Sequence, residues 1–312
     1  MQPETEQILG TLEVIIEPNS NFNLPGHEDG GYISPFVWEV SEYGEFNILK
    51  LSIIKDWLKL TDVDKTIAGW QEMEYLSIFN NFGFEKDEKN NRSNKIKALF
   101  EILSDKLQDL ESFDLKVSCY LSPNTSIGII VGKTIDSDWI CVCPTIYKET
   151  EISQQQIFRS EQLQSISTKP LNENTLTLVS EIKAITLELG TIHLEGDFGG
   201  GYYYSYEHQI VYAAAETKER AIEITLQASG MLEISKFHNF YPDKQYFQNE
   251  NSGSETKYLK YQQVNKFLAS TFPEVMMYRF SFLTEENIYI IGKVLGGDWA
   301  GLYLESEFVY NP

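Results

Sequence analysis

Gly132-Lys133-Thr134-Ile135-Asp136-Ser137-Asp138-Trp139 returns later in the chain as Gly292-Lys293-Val294-Leu295-Gly296-Gly297-Asp298-Trp299, with Gly-Lys and Asp-Trp at the same spacing. Upstream, Ser77-Ile78-Phe79-Asn80-Asn81-Phe82 answers Ser235-Lys236-Phe237-His238-Asn239-Phe240. The two landmarks stand 50 residues apart in the first copy and 52 in the second. Chance likeness rarely keeps such a distance, so the collinear order reads as two copies of one domain. A fainter echo precedes both: His27-Glu28-Asp29-Gly30-Gly31-Tyr32 and Glu195-Gly196-Asp197-Phe198-Gly199-Gly200-Gly201-Tyr202 share the order acid, glycines, aromatic. The expected domains are 1–150 and 173–312, with 151–172, rich in Gln and Ser, as the linker.

Ile96, Leu99, Phe100, Leu103, Leu107 and Leu110 recur at helical spacing behind a candidate N-cap at Ser93 or Asn94. Tyr258, Tyr261, Val264, Phe267 and Leu268 do the same in the second copy, predicting one amphipathic helix per copy. Hairpins are expected next. One joins Val117–Leu121 to Gly128–Val131 around Pro123-Asn124; the other joins Met276–Phe282 to Ile288–Ile291. A further strand from Trp139 to Cys143, or from Trp299 to Leu304, closes an antiparallel meander. Earlier strands are expected at Phe36–Val40 and Ile48–Ile54, with counterparts at Gln209–Ala214 and Ile222–Leu226. Asn174–Leu189 reads as a helix opening the second copy, whereas Leu12–Ile16 opens the first as a short strand-like run. Antiparallel sheets with segregated helices make each copy an α+β domain.

Composition narrows the function classes. At 312 residues the chain has room for about two domains and for cores that need no disulfide staples. Aromatics at 13% are too many for a disordered chain. With 46 acids against 25 Lys and Arg, the net charge is −21, a field that repels nucleic-acid phosphates and argues against direct nucleic-acid binding. Both halves share the excess, so no acidic tail explains it. Cys119, Cys141 and Cys143 are an odd and sparse set, pointing to a reducing compartment. Met1–Gly10 lacks a basic and an apolar region, and no apolar run approaches a membrane span. A cytoplasmic protein without membrane contact is expected.

No catalytic grouping is legible. His27, His193, His208 and His238 are scattered, with no metal-ligand spacing and no nucleophile elbow. The three cysteines lack a nearby His and read as buried thiols rather than metal ligands. Gly196–Gly201 has neither the Walker lysine nor the GxGxxG spacing, so a turn outweighs a phosphate cradle. Neither a metal nor a cofactor is expected. In Asp138-Trp139 and Asp298-Trp299, an Asp holding a turn and a Trp filling the core outweigh a binding pair. Tyr202, Tyr203, Tyr204 and Tyr206 must point to both faces of a strand, so they either form a recognition surface beside acids or pack against the sister domain.

The run Met277-Tyr278-Arg279-Phe280, an acidic turn, Ile288-Tyr289-Ile290-Ile291-Gly292, a glycine-containing turn and Ala300-Gly301-Leu302 resembles the C-terminal hairpin of the nuclease A inhibitor family of cyanobacterial proteins. The preceding order also matches: an opening helix, an acidic segment, a strand, a Ser-Phe turn at Ser235 to Phe237, an aromatic acidic loop, then the amphipathic helix. The resemblance spans about 174–309, and about 28–150 with a degraded start. It implies tandem α/β/α sandwiches that bind a non-specific nuclease without catalysis. It also implies an inhibitory acid just after the opening helix, which here falls on Glu195 or Asp197, with Glu28 and Asp29 nearest in the first copy. The family's Asp-Trp pair before the amphipathic helix is replaced by Gln245-Tyr246 and by Asp87-Glu88. Its terminal Thr has no counterpart at Tyr310-Asn311-Pro312. Glu195, Asp197, Tyr202, Tyr203, Tyr204, Tyr206, Glu28, Asp29 and Tyr246 are therefore the candidate partner-binding residues. Three readings stay open: a binder or inhibitor of a basic partner such as a nuclease, a scaffold or adaptor keeping the fold without inhibition, and an enzyme with an unrecognised site.

Overall fold

The computed structural model describes residues 1–16, 21–22, 31–73, 84–117, 125–145, 170–197, 203–240, 254–282 and 285–307. In chain order the first half contributes α1 (Pro3–Ile15), β1 (Asn21–Phe22), β2 (Gly31–Trp38), α2 (Val40–Tyr43), α3 (Ile48–Ile54), β3 (Leu58–Thr61), α4 (Val63–Glu72), α5 (Lys86–Lys106), β4 (Leu107–Val117), β5 (Thr125–Thr134) and β6 (Trp139–Pro144). The second half contributes α6 (Glu173–Leu189), β7 (Ile192–Asp197), β8 (Tyr203–His208), β9 (Ile210–Ala215), α7 (Lys218–Ala228), β10 (Leu232–Lys236), α8 (Ser254–Thr271), β11 (Met276–Phe282), β12 (Glu285–Lys293) and β13 (Trp299–Glu307). Among the described residues no helix is long and apolar enough to cross a membrane.

The chain forms two compact units, and neither is a sequence half. One comprises Met1–Phe46, Glu233–Phe280 and Glu285–Phe308; the other comprises Asn47–Leu232, Ser281–Thr284 and Val309–Pro312. Each unit draws strands from both of the expected stretches 1–150 and 173–312, because β2 pairs with β13 in one and β9 pairs with β6 in the other.

In the first unit the sheet order is β1-β2-β13-β12-β11-β10. β2 lies antiparallel to β13, with Trp38 opposite Trp299, Val37 opposite Ala300 and Pro35 opposite Leu302. Ile8 and Leu12 of α1 and Tyr261, Val264 and Leu268 of α8 are buried with Ile288, Ile290, Ala300, Leu302 and Leu304. Those sheet residues alternate along β12 and β13, so one face receives both helices. Burial of each such Val, Leu or Ile side chain contributes about 1.5–3 kcal/mol.

In the second unit the order is β3-β4-β5-β6-β9, and β6 lies antiparallel to β9, with Trp139 opposite Ala215, Ile140 opposite Ala214 and Val142 opposite Tyr212. Ile96, Leu99 and Leu103 of α5 and Leu178, Val179 and Ile182 of α6 pack with Ile130, Ile140, Val142 and Tyr212. On α7, the hydroxyl of Thr225 donates to Cys141 O at 3.3 Å, which seats that helix on the same sheet. The two units are thus similarly built, each a sheet with flanking helices, consistent with α/β/α layering.

The α+β class and the two amphipathic helices α5 and α8 follow the periodicity, but three expected strands are helical. Leu12–Ile16 belongs almost wholly to the end of α1, whose Pro3 opens the helix, with Glu4 and Glu6 in the first turn and Thr5, Ile8 and Leu12 on the buried stripe. Ile48–Ile54 is α3, started where Asn47 Oδ1 accepts Lys50 N at 2.8 Å. Ile222–Leu226 lies inside α7, started where Thr217 Oγ1 accepts Arg220 N at 3.2 Å. Short β-branched runs suit either state, and the caps decide. α5 begins at Lys86, ahead of the expected cap at Ser93 or Asn94, while Leu107 and Leu110 fall in β4. A strand over Leu107–Val117 runs directly out of that helix, and of the strand expected at 117–121 only Val117 falls among the described residues.

The repeated glycines have a packing cause. A Cβ on Gly132 would stand 2.9 Å from Leu107 Cβ and Leu110 Cδ1, and one on Gly292 would stand 2.4 Å from Phe272 Cγ. In each unit a large side chain just past the long helix packs against the strand at the glycine, and only glycine leaves room for it.

Candidate functional site: an acidic aromatic hairpin

β7 and β8 form a separate antiparallel ribbon in the second unit, with Ile192 opposite His208, His193 opposite Glu207, Leu194 opposite Tyr206, Glu195 opposite Ser205, Gly196 opposite Tyr204 and Asp197 opposite Tyr203. Cross-strand partners share a face. The positions of Glu195, Asp197 and Tyr203 therefore fall on the face that carries the exposed His193 and Glu207, whose Nδ1 and Oε1 approach to 3.8 Å. The positions of Tyr204 and Tyr206 fall on the face that carries the buried Ile192, Leu194 and His208. The ribbon register thus brings Glu195, Asp197 and Tyr203 together and separates them from Tyr204 and Tyr206. Tyr202, Glu28, Asp29 and Tyr246 lie outside the described residues.

Three attachments hold the root of the ribbon. Entering it, Gly190 turns the chain with φ of 64°, and the last carbonyls of α6 are satisfied by cations of α5. Arg92 Nη1 donates to Leu189 O at 2.6 Å, Arg92 Nη2 donates to Gly190 O at 3.3 Å, and Lys95 Nζ donates to Glu188 O at 2.6 Å. Positive charge at a helix C-terminus also complements the helix dipole. Leaving the ribbon, Gln209 is clamped to Thr145: Thr145 N donates to Gln209 O at 2.8 Å and Gln209 N donates to Thr145 Oγ1 at 3.0 Å. β9 then continues along β6.

His208 sits beneath this root with Nδ1 at 3.4 Å from Thr145 Oγ1. Burial, with the nearby Arg92 charge adding to it, lowers its pKa to about 3, so at neutral pH the ring is uncharged. It is a neutral packing residue of the hairpin base.

The other motifs resolve into structure. Cys141 and Cys143 are buried free thiols; desolvation pushes Cys141 up to about 12 and Cys143 also well up, which keeps both protonated and unreactive. Cys119 lies outside the described residues. Among the described residues no group of three or more His, Cys, Asp or Glu could hold a metal ion. Asp138 and Asp298 are buried and bind the first turns of helices: Asp138 Oδ2 accepts Asn172 N at 3.1 Å and the Thr175 hydroxyl at 2.8 Å, while Asp298 Oδ2 accepts the Thr5 hydroxyl at 2.9 Å. Arg279, within the run that suggested the family, is also buried, with Nη1 3.8 Å from a carboxylate oxygen of Glu233. The attachments by Arg92, Lys95 and Thr145 had no signal in the sequence, since each joins residues far apart in the chain.

Residues 205–306 match the nuclease A inhibitor-like protein family. The matched stretch starts in β8, the second strand of the ribbon, and ends in β13. No curated protein matches the chain, and no solved structure does. This partial similarity is consistent with a non-catalytic binding protein.

Proposed function

We propose that this protein is a tandem inhibitor-like protein that binds a basic protein partner, of the non-specific nuclease kind, through the β7–β8 ribbon. The single observation that carries this is the similarity of residues 205–306 to nuclease A inhibitor-like protein, a stretch that begins within the ribbon itself. Glu195 and Asp197 occupy alternate positions of β7 on the face of exposed His193, where a carboxylate could meet an arginine through two parallel hydrogen bonds. A net charge of −21 raises the encounter rate with a cationic groove and makes it fall with salt. Rigid attachment at Thr145 and Arg92 limits the entropy lost when the ribbon is ordered against a partner.

The test is titration of the full chain against a non-specific, metal-dependent nuclease at two salt concentrations, with Glu195→Ala/Asp197→Ala as control. The reading expects inhibition or binding that weakens with salt and falls at least tenfold in the double variant. Binding without inhibition favours the scaffold reading. Absence of both, at concentrations well above those of the nuclease, removes the nuclease as partner.

A further inference from the structure

We propose that the two sequence halves are equivalent modules that have exchanged their opening segments, so that each half closes the sheet of the other and neither is complete alone. The pairing is reciprocal. β2 of the first half lies on β13 of the second, and β9 of the second half lies on β6 of the first. The registers are equivalent: each acceptor strand begins with the repeated tryptophan, and the residue after it faces Val37 in one unit and Ala214 in the other.

Side chains repeat the same crossing. Asp298 of the second half binds Thr5 and Val40 N of the first; Asp138 of the first half binds Asn172 and Thr175 of the second. The similarity to the nuclease A inhibitor-like family points the same way, because its contiguous stretch 205–306 is divided here, with 205–232 in one unit and most of the remainder in the other.

Exchange has a physical consequence for each acceptor edge. Ile140, Cys141, Val142 and Cys143 of β6 are fully buried, and removing β9 would bare a row of unpaired amides and carbonyls beside them. Such an edge invites aggregation, so the closing strand is obligatory. In cis it comes from the other half. If the modules were instead contiguous, β9 would lie on β13 and Ala214 would face Ala300.

The decisive experiment uses the full chain with a protease site inserted within residues 151–169, cut after folding. Three double-cysteine variants are compared after mild oxidation: Ile140→Cys/Ala214→Cys, Val37→Cys/Ala300→Cys, and Ala214→Cys/Ala300→Cys. Directly opposed residues of antiparallel strands lie about 4.5–5.5 Å apart at Cα, within the span of a disulfide. The first two variants are expected to keep the cut halves joined at the mass of their own uncut chain on a non-reducing denaturing gel, with the bond assigned by peptide mapping. In the third variant no bond between positions 214 and 300 is expected. Closure of that third pair, with the first two leaving the halves separable, overturns the exchange. The cut wild-type chain gives a second measurement free of substitutions: its halves should co-elute and unfold at one denaturant midpoint. Separation into two folded, monomeric halves overturns the proposal equally.

Discussion

The hydroxyl of Thr5 donates to Asp298 Oδ2 at 2.9 Å, although 293 residues separate the two in the chain. Asp298 Oδ1 also accepts Val40 N at 2.9 Å, so one buried carboxylate holds the first turn of α1 and the entry to α2. Thr175 and Asp138 form the same contact in the other unit, at 2.8 Å. The repeated Asp-Trp dipeptide is therefore a helix-anchoring device, and its acid is occupied inside the fold.

Removing that acid should be expensive. Asp298→Ala leaves a buried hydroxyl and a backbone amide without their acceptor and is expected to cost about 3 kcal/mol, with Thr5→Val costing about 1 kcal/mol. A double-mutant cycle by urea denaturation should return a coupling of about 1 kcal/mol or more. Strictly additive losses would mean that the contact contributes nothing to stability.

The buried imidazole of His208 makes stability pH-dependent. Its pKa falls from 6.5 to about 3 on folding, so between those values the unfolded chain binds the extra proton. Its contribution is fully present above pH 6.5 and is lost progressively as pH falls through the window towards 3. By pH 5 the ring should account for about 2 kcal/mol of lost stability. Comparing denaturation free energies at pH 7.5 and pH 5, His208→Gln should reduce the difference by about that amount. An unchanged difference would show that the ring is protonated in the folded protein.

Arg279 and Glu233 should behave as a buried pair. Arg279→Leu leaves the Glu233 carboxylate without its cation and is expected to lower stability by about 3 kcal/mol. Replacing both, as Arg279→Leu/Glu233→Leu, should recover most of the loss, because the desolvation of two charges is removed together. A double variant as unstable as the single one would assign Arg279 a role in shaping the sheet beyond charge.

At Gly292 the expected effect is steric. Gly292→Ala drives a methyl group into the ring of Phe272 and should cost about 1–3 kcal/mol. Gly10→Ala, where a Cβ meets nothing within 4 Å, is the control and should be neutral or slightly stabilising. Equal melting temperatures for the two variants would contradict the packing of Phe272 over the strand.

Local chemistry was enough to reveal much of this molecule. The paired Gly-Lys and Asp-Trp turns, the 3.6-residue stripes of α5 and α8 and the opening helix α6 all depend on residues close together in sequence. Hydrophobic period and turn residues encode them directly. Where a run was short and β-branched, as at Ile48–Ile54 and Ile222–Leu226, period could not separate helix from strand, and the caps at Asn47 and Thr217 decided it. The candidate acids Glu195 and Asp197 were visible as residue types, but their common face with His193 follows only from the register of β7 on β8. The pairing of halves was not legible at all. β2 and β9 are both apolar strands fit for the same edge, and nothing in either says whether β6 or β13 is the partner. That choice depends on contacts such as Thr5 with Asp298 and Thr145 with Gln209, which exist only once distant segments have met, and so it belongs to the tertiary structure alone.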